Sequence, residues 1–180
     1  YALALVKSKI SKSEDSRKWK MLLPSIYELD YDYVNAIKEY NRIESEYGAA
    51  AAIYYYRSYC YKVLGDNENA IKDITKCLES GDGYDYYPLS RRAHIFQDAG
   101  MYDMAIADFT KMIEMEPMVA YGYYCRGWCY EFAGDDRKAM DDYNAGIDID
   151  KNYVGLYMMR GRLHRKQGNM ELAKPDFEKV

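Results

Sequence analysis

The cysteines are the first residues whose type and spacing could perform chemistry. Cys125 and Cys129 are four residues apart, so on a helix they share one face and could supply two ligands of a zinc site. No His, Cys or carboxylate pair stands near them in the sequence to complete it. Cys60 occupies the place in its own segment that Cys129 holds in a later one, which favours buried thiols that pack. We therefore expect no metal.

A second candidate for metal binding is the acidic stretch DIDKN at 148–152, which resembles the opening of an EF-hand calcium loop. That loop requires a glycine at its sixth position and a bidentate glutamate at its twelfth. Tyr153 and Met159 occupy those places. A turn between two helices explains the stretch better.

Catalytic motifs are missing from the sequence. There is no phosphate-binding loop, no nucleophile elbow and no HExxH. The chain has two histidines, and His164 replaces an aromatic residue that recurs elsewhere, which favours a packing role. We expect neither enzymatic activity nor a cofactor.

Five residue types recur in register four times, 34 or 35 residues apart. A small residue is followed by an aromatic at three, glycine at seven, alanine at twelve and a large apolar residue at sixteen. The copies are Ser58, Tyr61, Gly65, Ala70 and Ile74; Ala93, Phe96, Gly100, Ala105 and Phe109; Gly127, Tyr130, Gly134, Ala139 and Tyr143; and Gly161, His164, Gly168, Ala173 and Phe177. This pattern resembles the tetratricopeptide repeat family, a solenoid of helix pairs.

The resemblance implies an all-α fold, a right-handed α-solenoid of antiparallel helix pairs. Apolar residues recur every three to four places on both sides of each glycine, which independently predicts a helical hairpin. The small residues then lie opposite the alanines and let the two backbones approach. We place the repeats at 51–85, 86–119, 120–153 and 154–180, with N-terminal helices and half of a degenerate repeat at 1–50.

The first fifty residues follow the pattern only in part. Ala36, Tyr40 and Ile43 match the second half of a repeat, whereas Pro24 falls where it would break a regular helix in the first half. We expect helices near 1–11, 17–29 and 33–46. Because the chain begins at Tyr1 and ends inside a predicted helix, we also expect it to be a piece of a longer protein.

The charge distribution disfavours nucleic acid as a partner. The net charge is −4, and residues 21–150 hold twelve Lys and Arg against twenty-four acids. Only the cluster Arg160, Arg162, Arg165 and Lys166 favours that function, and a solvated helix face explains it better. The sequence shows no apolar run long enough to cross a membrane and no signal peptide. Four cysteines without a disulfide framework indicate a reducing compartment, so we expect a cytoplasmic protein.

Sixteen residues separate an arginine from an aspartate in each repeat, with the turn glycine midway. Residues equidistant from a hairpin turn lie side by side, and the arginine stands where the family usually has an apolar residue. We therefore expect partly buried ion pairs, with a partner from the neighbouring hairpin as the alternative. They are Arg57 with Asp73, Arg92 with Asp108, Arg126 with Asp142, and Arg160 with Asp176.

The resemblance also implies that the first helices of successive repeats line a concave groove that holds a segment of another protein. We call these positions the first-helix surface: Tyr55, Tyr59, Tyr87, Arg91, His94, Tyr121, Tyr124, Trp128, Met158 and Arg162. Aromatic rings and scattered cations suit a partner with apolar and acidic anchors. We expect about half of the surface tyrosines to be buried, and Tyr55, Tyr59, Tyr124 and Trp128 to be exposed.

Three functions remain open at this point. The first is a non-catalytic scaffold that binds an extended or helical protein segment on the first-helix surface. The second is self-association, because the helix at 171–180 would expose Phe177 and Val180 and would either fray or be covered by another copy. The third is nucleic-acid binding through the basic C-terminal helix.

Overall fold

The computed structural model describes residues 4–5, 8–9, 16–81 and 85–180, and within these ranges it contains ten helices of at least eight residues and no strand. Two compact units divide the chain, Tyr1–Pro88 and Leu89–Val180, and each is described by itself. The helices are α1 Ser16–Leu29, α2 Tyr33–Tyr47, α3 Ala51–Val63, α4 Asn67–Glu79, α5 Tyr86–Asp98, α6 Tyr102–Met115, α7 Ala120–Phe132, α8 Asp136–Ile149, α9 Val154–Lys166 and α10 Met170–Phe177.

Consecutive helices pack as antiparallel hairpins, as the repeat pattern predicts. In the first unit α1 packs on α2 and α3 on α4, and α2 also packs on α3. In the second unit α7 packs on α8 and α9 on α10. Contacts of α8 with α9 join these two hairpins, and α6 packs on α7. The short turns between the helices enforce this arrangement.

The turn inside each hairpin depends on a backbone conformation that favours glycine. Gly65 and Gly134 have φ values of 77° and 88°, in the left-handed region. The N–H of Asp66 bonds to the carbonyl of Tyr61 at 2.9 Å, which satisfies a carbonyl at the end of α3. The Asp66 carboxylate then accepts the backbone N–H of Asn69, so it caps the start of α4.

The N-terminal hairpin α1–α2 repeats this turn with one exchange. Tyr31 stands where the other hairpins have glycine and keeps a φ of 58°. Asp32 bonds through its N–H to the carbonyl of Tyr27 at 2.8 Å and caps α2 at Asn35, as Asp66 does in the next hairpin. The helices expected at 17–29 and 33–46 correspond to α1 and α2, whereas the helix expected near 1–11 lies mostly outside the described residues.

Pro24 does not break α1. The proline is buried within the helix, 34 residues before Ser58, and so occupies the small-residue place of its hairpin. A proline removes one backbone hydrogen bond, and α1 continues to Leu29 because Leu23 and Tyr27 belong to the core that includes Ala36, Tyr40 and Ile43.

Small residues set the distance between paired helices. Ala70, Ala93 and Ala139 are completely buried. A Cβ added to Gly127 would lie 2.7 Å from Cε1 of Tyr143, closer than atoms pack, so the ring of Tyr143 fills the space that a side chain would occupy. Gly146 has the same relation to the next hairpin, because its Cβ would lie 2.7 Å from Cδ1 of Leu156.

None of the helices in the described ranges has the length and apolar character that crossing a bilayer requires.

Candidate functional site

Four arginines hold four aspartates in the same two-bond geometry. Each guanidinium donates from Nε and Nη2 to the two carboxylate oxygens of the residue sixteen positions later. The distances are 2.6 and 2.9 Å for Arg57 with Asp73, 2.7 and 2.8 Å for Arg92 with Asp108, 2.8 and 2.7 Å for Arg126 with Asp142, and 2.9 and 2.6 Å for Arg160 with Asp176. Such paired bonds combine charge with fixed orientation, so they lock the two helices of a hairpin.

The third nitrogen of three of these arginines also reaches the neighbouring hairpin that precedes them in the chain. Nη1 donates to the residue sixteen positions earlier, at 2.6 Å for Arg57 to Asn41, 3.1 Å for Arg126 to Thr110 and 2.7 Å for Arg160 to Asn144. In the sequence, each of these arginines has a polar residue sixteen positions before it, just as it has an aspartate sixteen positions after it. One guanidinium therefore ties its own hairpin to the one before it.

Burial is deepest around Arg57. Its side chain is 6% exposed and that of Asp73 is 5% exposed. Arg57 also pairs with Glu44 at 2.6 Å. Burial alone would raise the pKa of Glu44, but hydrogen bonds from Arg57 and Tyr54 outweigh it and the pKa is lowered. At Asp142 burial prevails over the bond from Arg126, and its pKa is raised.

In the unit Tyr1–Pro88, the first-helix surface contributes three tyrosines. Tyr87 is 65% exposed and Tyr59 is 39% exposed. Tyr55 is half-buried and lies edge-on to Tyr56, so our expectation that it is exposed is wrong. Two of these three rings are thus available to solvent.

In the unit Leu89–Val180, the surface is centred on α7. The ring of Trp128 stacks on Phe132 with centroids 3.9 Å apart and meets Tyr102 edge-on at 6.0 Å. Tyr124 meets Tyr153 edge-on at 5.4 Å. Trp128 and Tyr124 are therefore half-buried rather than exposed. Phe132, one helical turn further on, and Tyr102 of the preceding hairpin cover Trp128, and Tyr153 covers Tyr124.

Phe132 is a member of this surface that sequence reasoning missed. It lies one helical turn after Trp128 and is 50% exposed. Met158 on α9 is 43% exposed. The most accessible apolar groups of this unit's first helices include Phe132 and Met158.

Polar contacts fix His94, Tyr121 and Arg162 of the surface, and Arg91 is half-buried. Nε2 of His94 and the hydroxyl of Tyr121 are 2.6 Å apart, and Nδ1 of His94 lies 3.0 Å from Oε1 of Gln97. Arg162 pairs with Glu131 at 3.1 Å. Glu131 of α7 thus already neutralises Arg162, one of the cations of the surface.

The basic C-terminal cluster is largely paired. Arg160 binds Asp176, Arg162 binds Glu131, and Lys166 binds Asp136 at 2.6 Å. Arg165 lies over the ring of Phe177. Phosphate contacts would have to displace these bonds, which disfavours nucleic-acid binding.

The cysteines occupy packing positions. All four are thiols, and all four are buried. Burial raises the pKa of the Cys125 thiol and of the Cys129 thiol to about 12 each. Within the described residues, no three His, Cys, Asp or Glu side chains are grouped so that they could hold a metal ion.

Helix α10 exposes apolar side chains at the end of the second unit. Phe177 is 37% exposed and Val180 is 62% exposed, as are Met170 at 56% and Leu172 at 55%. The helix ends at Phe177, so the last three residues lie beyond it. The other face of α10 holds Ala173 and Asp176 against α9.

Together, the stacked hairpins, the turn glycines and the small-residue contacts define an all-helical repeat protein. The sequence model of the tetratricopeptide repeat matches residues 51–80, 89–117, 120–153 and 154–180, more than half of the chain. The chain belongs to the tetratricopeptide repeat family, whose members generally serve as scaffolds for protein–protein interaction.

Solved structures with the same fold have little sequence in common with this chain. MamA 41-end from Desulfovibrio magneticus RS-1 superposes with a TM-score of 0.82 at 16% identity, covering 92% of this chain and 93% of that one. YrrB, described as a tetratricopeptide repeat protein with an unusual peptide-binding site, gives a TM-score of 0.74 at 16% identity over 99% and 91% of the two chains. At such identity the likeness shows the fold alone.

One curated relative is much longer. Protein bimA of Emericella nidulans is 28% identical over 76 residues, which is 42% of this chain but 9% of the length of bimA.

Proposed function

We propose that the protein is a non-catalytic scaffold that binds an extended or helical segment of another protein on the first-helix surface. Membership in the tetratricopeptide repeat family supports the class of function. The single observation that supports the location is the exposure of Phe132 and Met158 on the first helices α7 and α9 of the unit Leu89–Val180, with Phe132 stacked on Trp128.

The chemistry of this surface defines the expected segment. Large rings lose few rotors on binding and dominate measured hot spots, so apolar anchors supply most of the affinity. Arg162 is paired with Glu131, so an acidic anchor has to compete with that bond. Apolar anchors therefore carry more of the proposed recognition than acidic ones. We propose that the protein works in the cytoplasm, in keeping with its four cysteine thiols.

Selection of peptides from a displayed random library tests this function. We expect selected peptides to share apolar anchors and to bind at least tenfold more weakly to the double variant Phe132→Ala, Met158→Ala, a change of about 1.4 kcal/mol. Lys111→Ala and Asp141→Ala change exposed side chains of second helices and serve as matched controls. If the controls abolish binding and the double variant does not, the functional surface lies elsewhere.

Self-association is the second candidate, and the exposed apolar side chains of α10 and of the residues after it favour it. Met170, Leu172 and Val180 are each more than half exposed. Sedimentation at rising concentration should show a dimer that Leu172→Glu dissolves. A monomer at every concentration would remove this candidate without affecting the first.

A further inference from the structure

A shallow cavity of about 420 Å³ in the unit Tyr1–Pro88 is walled by tyrosines. Ser25, Glu28, Leu29, Tyr31, Tyr33 and Tyr59 line it. The rings of Tyr31 and Tyr33 are 6.5 Å apart at 77°, and those of Tyr33 and Tyr59 are 6.0 Å apart at 77°. Because successive rings are nearly perpendicular, aromatic surface bounds the cavity on more than one side.

Tyr31 occupies its place in this wall at a conformational cost. Its φ of 58° lies in the left-handed region, where the other four hairpins have glycine. The residue is 81% exposed, so packing does not explain why a tyrosine stands there. A strained residue kept at a surface position points to a function for its side chain.

The lining of the cavity includes a carboxylate, Glu28, that forms no ion pair with Lys or Arg in the part of the chain that the structure describes. Glu28 Oε1 accepts the hydroxyl of Tyr40 at 2.6 Å and the thiol of Cys60 at 3.5 Å, and both donors are neutral. Residues 28–32, with the sequence ELDYD, contain three acids and no Lys or Arg. The cavity therefore combines ring faces, which attract cations, with a carboxylate.

The equivalent place in another hairpin lacks these features. Tyr102 meets Trp128 edge-on at 6.0 Å, as Tyr33 meets Tyr59, at positions 69 residues later. There Gly100 replaces Tyr31, and Gln97 replaces Glu28. Phe132 also stacks on Trp128, whereas Val63 holds its place beside Tyr59. The third ring is thus particular to the first hairpin. The carboxylate recurs as Glu131 of α7, which also accepts a tyrosine hydroxyl, that of Tyr143, but there Arg162 pairs with it.

We propose that this cavity binds a trimethylammonium group. Methyl groups make contact with ring faces and spread the positive charge, whereas a bare lysine ammonium is compact and strongly hydrated and loses more on leaving water. A trimethylated lysine side chain and a choline-like small molecule share this chemistry. The site goes beyond the proposed scaffold function, although Tyr59 belongs to both surfaces.

Calorimetric titration with three probes tests the proposal. The probes are choline, trimethyllysine blocked at both ends, and the neutral isostere of that lysine in which carbon replaces the charged nitrogen. We expect one or both cationic probes to bind and the isostere to bind about five- to thirtyfold more weakly. Binding of both cations shows that the group alone is recognised, whereas binding of trimethyllysine alone shows that the lysine stem contributes.

Two variants locate the site. Tyr31→Gly removes one wall and gives this turn the residue of the other four, so it folds, and Glu28→Gln removes the charge but keeps an acceptor for Tyr40. Each should weaken the cationic probe about five- to thirtyfold. Tyr56→Ala changes an exposed tyrosine of α3 that does not line the cavity and should leave binding unchanged.

Three results would overturn the proposal: no binding of either cation, equal binding of the isostere, or undiminished binding by a folded Tyr31→Gly variant. Tyr31 and Glu28 lie outside the first-helix surface. Any of these results therefore leaves the scaffold function standing, and a failed peptide selection leaves this site untouched.

Discussion

At the scale of single residues, the guanidinium of Arg57 shows why these repeats hold charged groups where the family usually has apolar ones. Two of its nitrogens bind Asp73 and the third binds Asn41 and Glu44. The desolvation of a buried ion is offset only when nearly all its hydrogen-bonding groups are satisfied. Arg57 meets that condition, so the cost of its burial is recovered within and between hairpins.

Removing this guanidinium should destabilise the protein strongly. Arg57→Met leaves the Asp73 carboxylate buried without a partner, and we expect a loss of about 3–5 kcal/mol in the free energy of unfolding by urea. The double variant Arg57→Met, Asp73→Leu removes both charges and should recover much of that loss. If the double variant is as unstable as the single one, the stranded carboxylate is not the cause.

A second residue, His164, departs from the repeat in a way that costs stability. It stands where the other repeats have Tyr61, Phe96 and Tyr130, and its buried Nδ1 has no hydrogen-bond partner among the described residues. His164→Phe removes that unsatisfied group, and we expect it to raise the free energy of unfolding by about 1 kcal/mol. His164→Ala is the control, since it removes the nitrogen but also the ring and should not stabilise.

The sequence predicts which residues pair when the symmetry of a helical hairpin relates their positions. The spacing of sixteen residues across each turn predicts the four Arg–Asp pairs, and the structure contains all four. The exposure of single rings was predicted less well. Trp128 and Tyr124 are covered by Tyr102 and Tyr153, and contacts between neighbouring turns do not follow from periodicity within one helix.

At the scale of helices, glycine decides where four of the five hairpins turn and how closely helices approach. The turn at Gly134 requires a positive φ, whereas Gly146 has ordinary helical geometry and lies against Leu156 of the next hairpin. Sequence alone locates the turns, because the glycine recurs at a fixed place. It did not predict that Tyr31 would adopt the same conformation, since an aromatic side chain there is disfavoured by its own Cβ.

Gly146→Ala tests the close approach of α8 and α9. A helical Gly→Ala exchange normally stabilises by about 1 kcal/mol. Here the new Cβ would lie 2.7 Å from the Leu156 side chain, and we expect the overpacking to cost about 1–3 kcal/mol. The variant should therefore be no more stable than the wild type, and less stable over most of that range. Thermal unfolding measures the net of the helix-propensity gain and the overpacking cost. Gly155→Ala, whose nearest contact would be 3.3 Å from Tyr124, should be less costly, and a higher Tm for Gly146→Ala would show that the helices can separate freely.

At the scale of the whole molecule, the packing of the repeats leaves Phe132 and Met158, on two of the first helices, exposed to solvent. A repeat array buries its core between neighbouring hairpins and needs no enclosed pocket, so we propose that recognition uses an extended surface. The family and this architecture could be predicted from the recurring residues. The identity of the bound segment could not, because it depends on which rings remain accessible after the hairpins pack.

Hydroxyl-radical footprinting with a selected peptide tests the location of that surface most directly, since exposed methionine and aromatic side chains are readily oxidised. Met158 and Phe132 report on first helices, whereas Met115 on α6 and Met118 in the following turn report on the rest of the unit, and all four are accessible. We expect the peptide to protect Met158 and Phe132 while Met115 and Met118 are oxidised at their original rates. Protection of Met115 and Met118, with Met158 and Phe132 unchanged, would contradict the account.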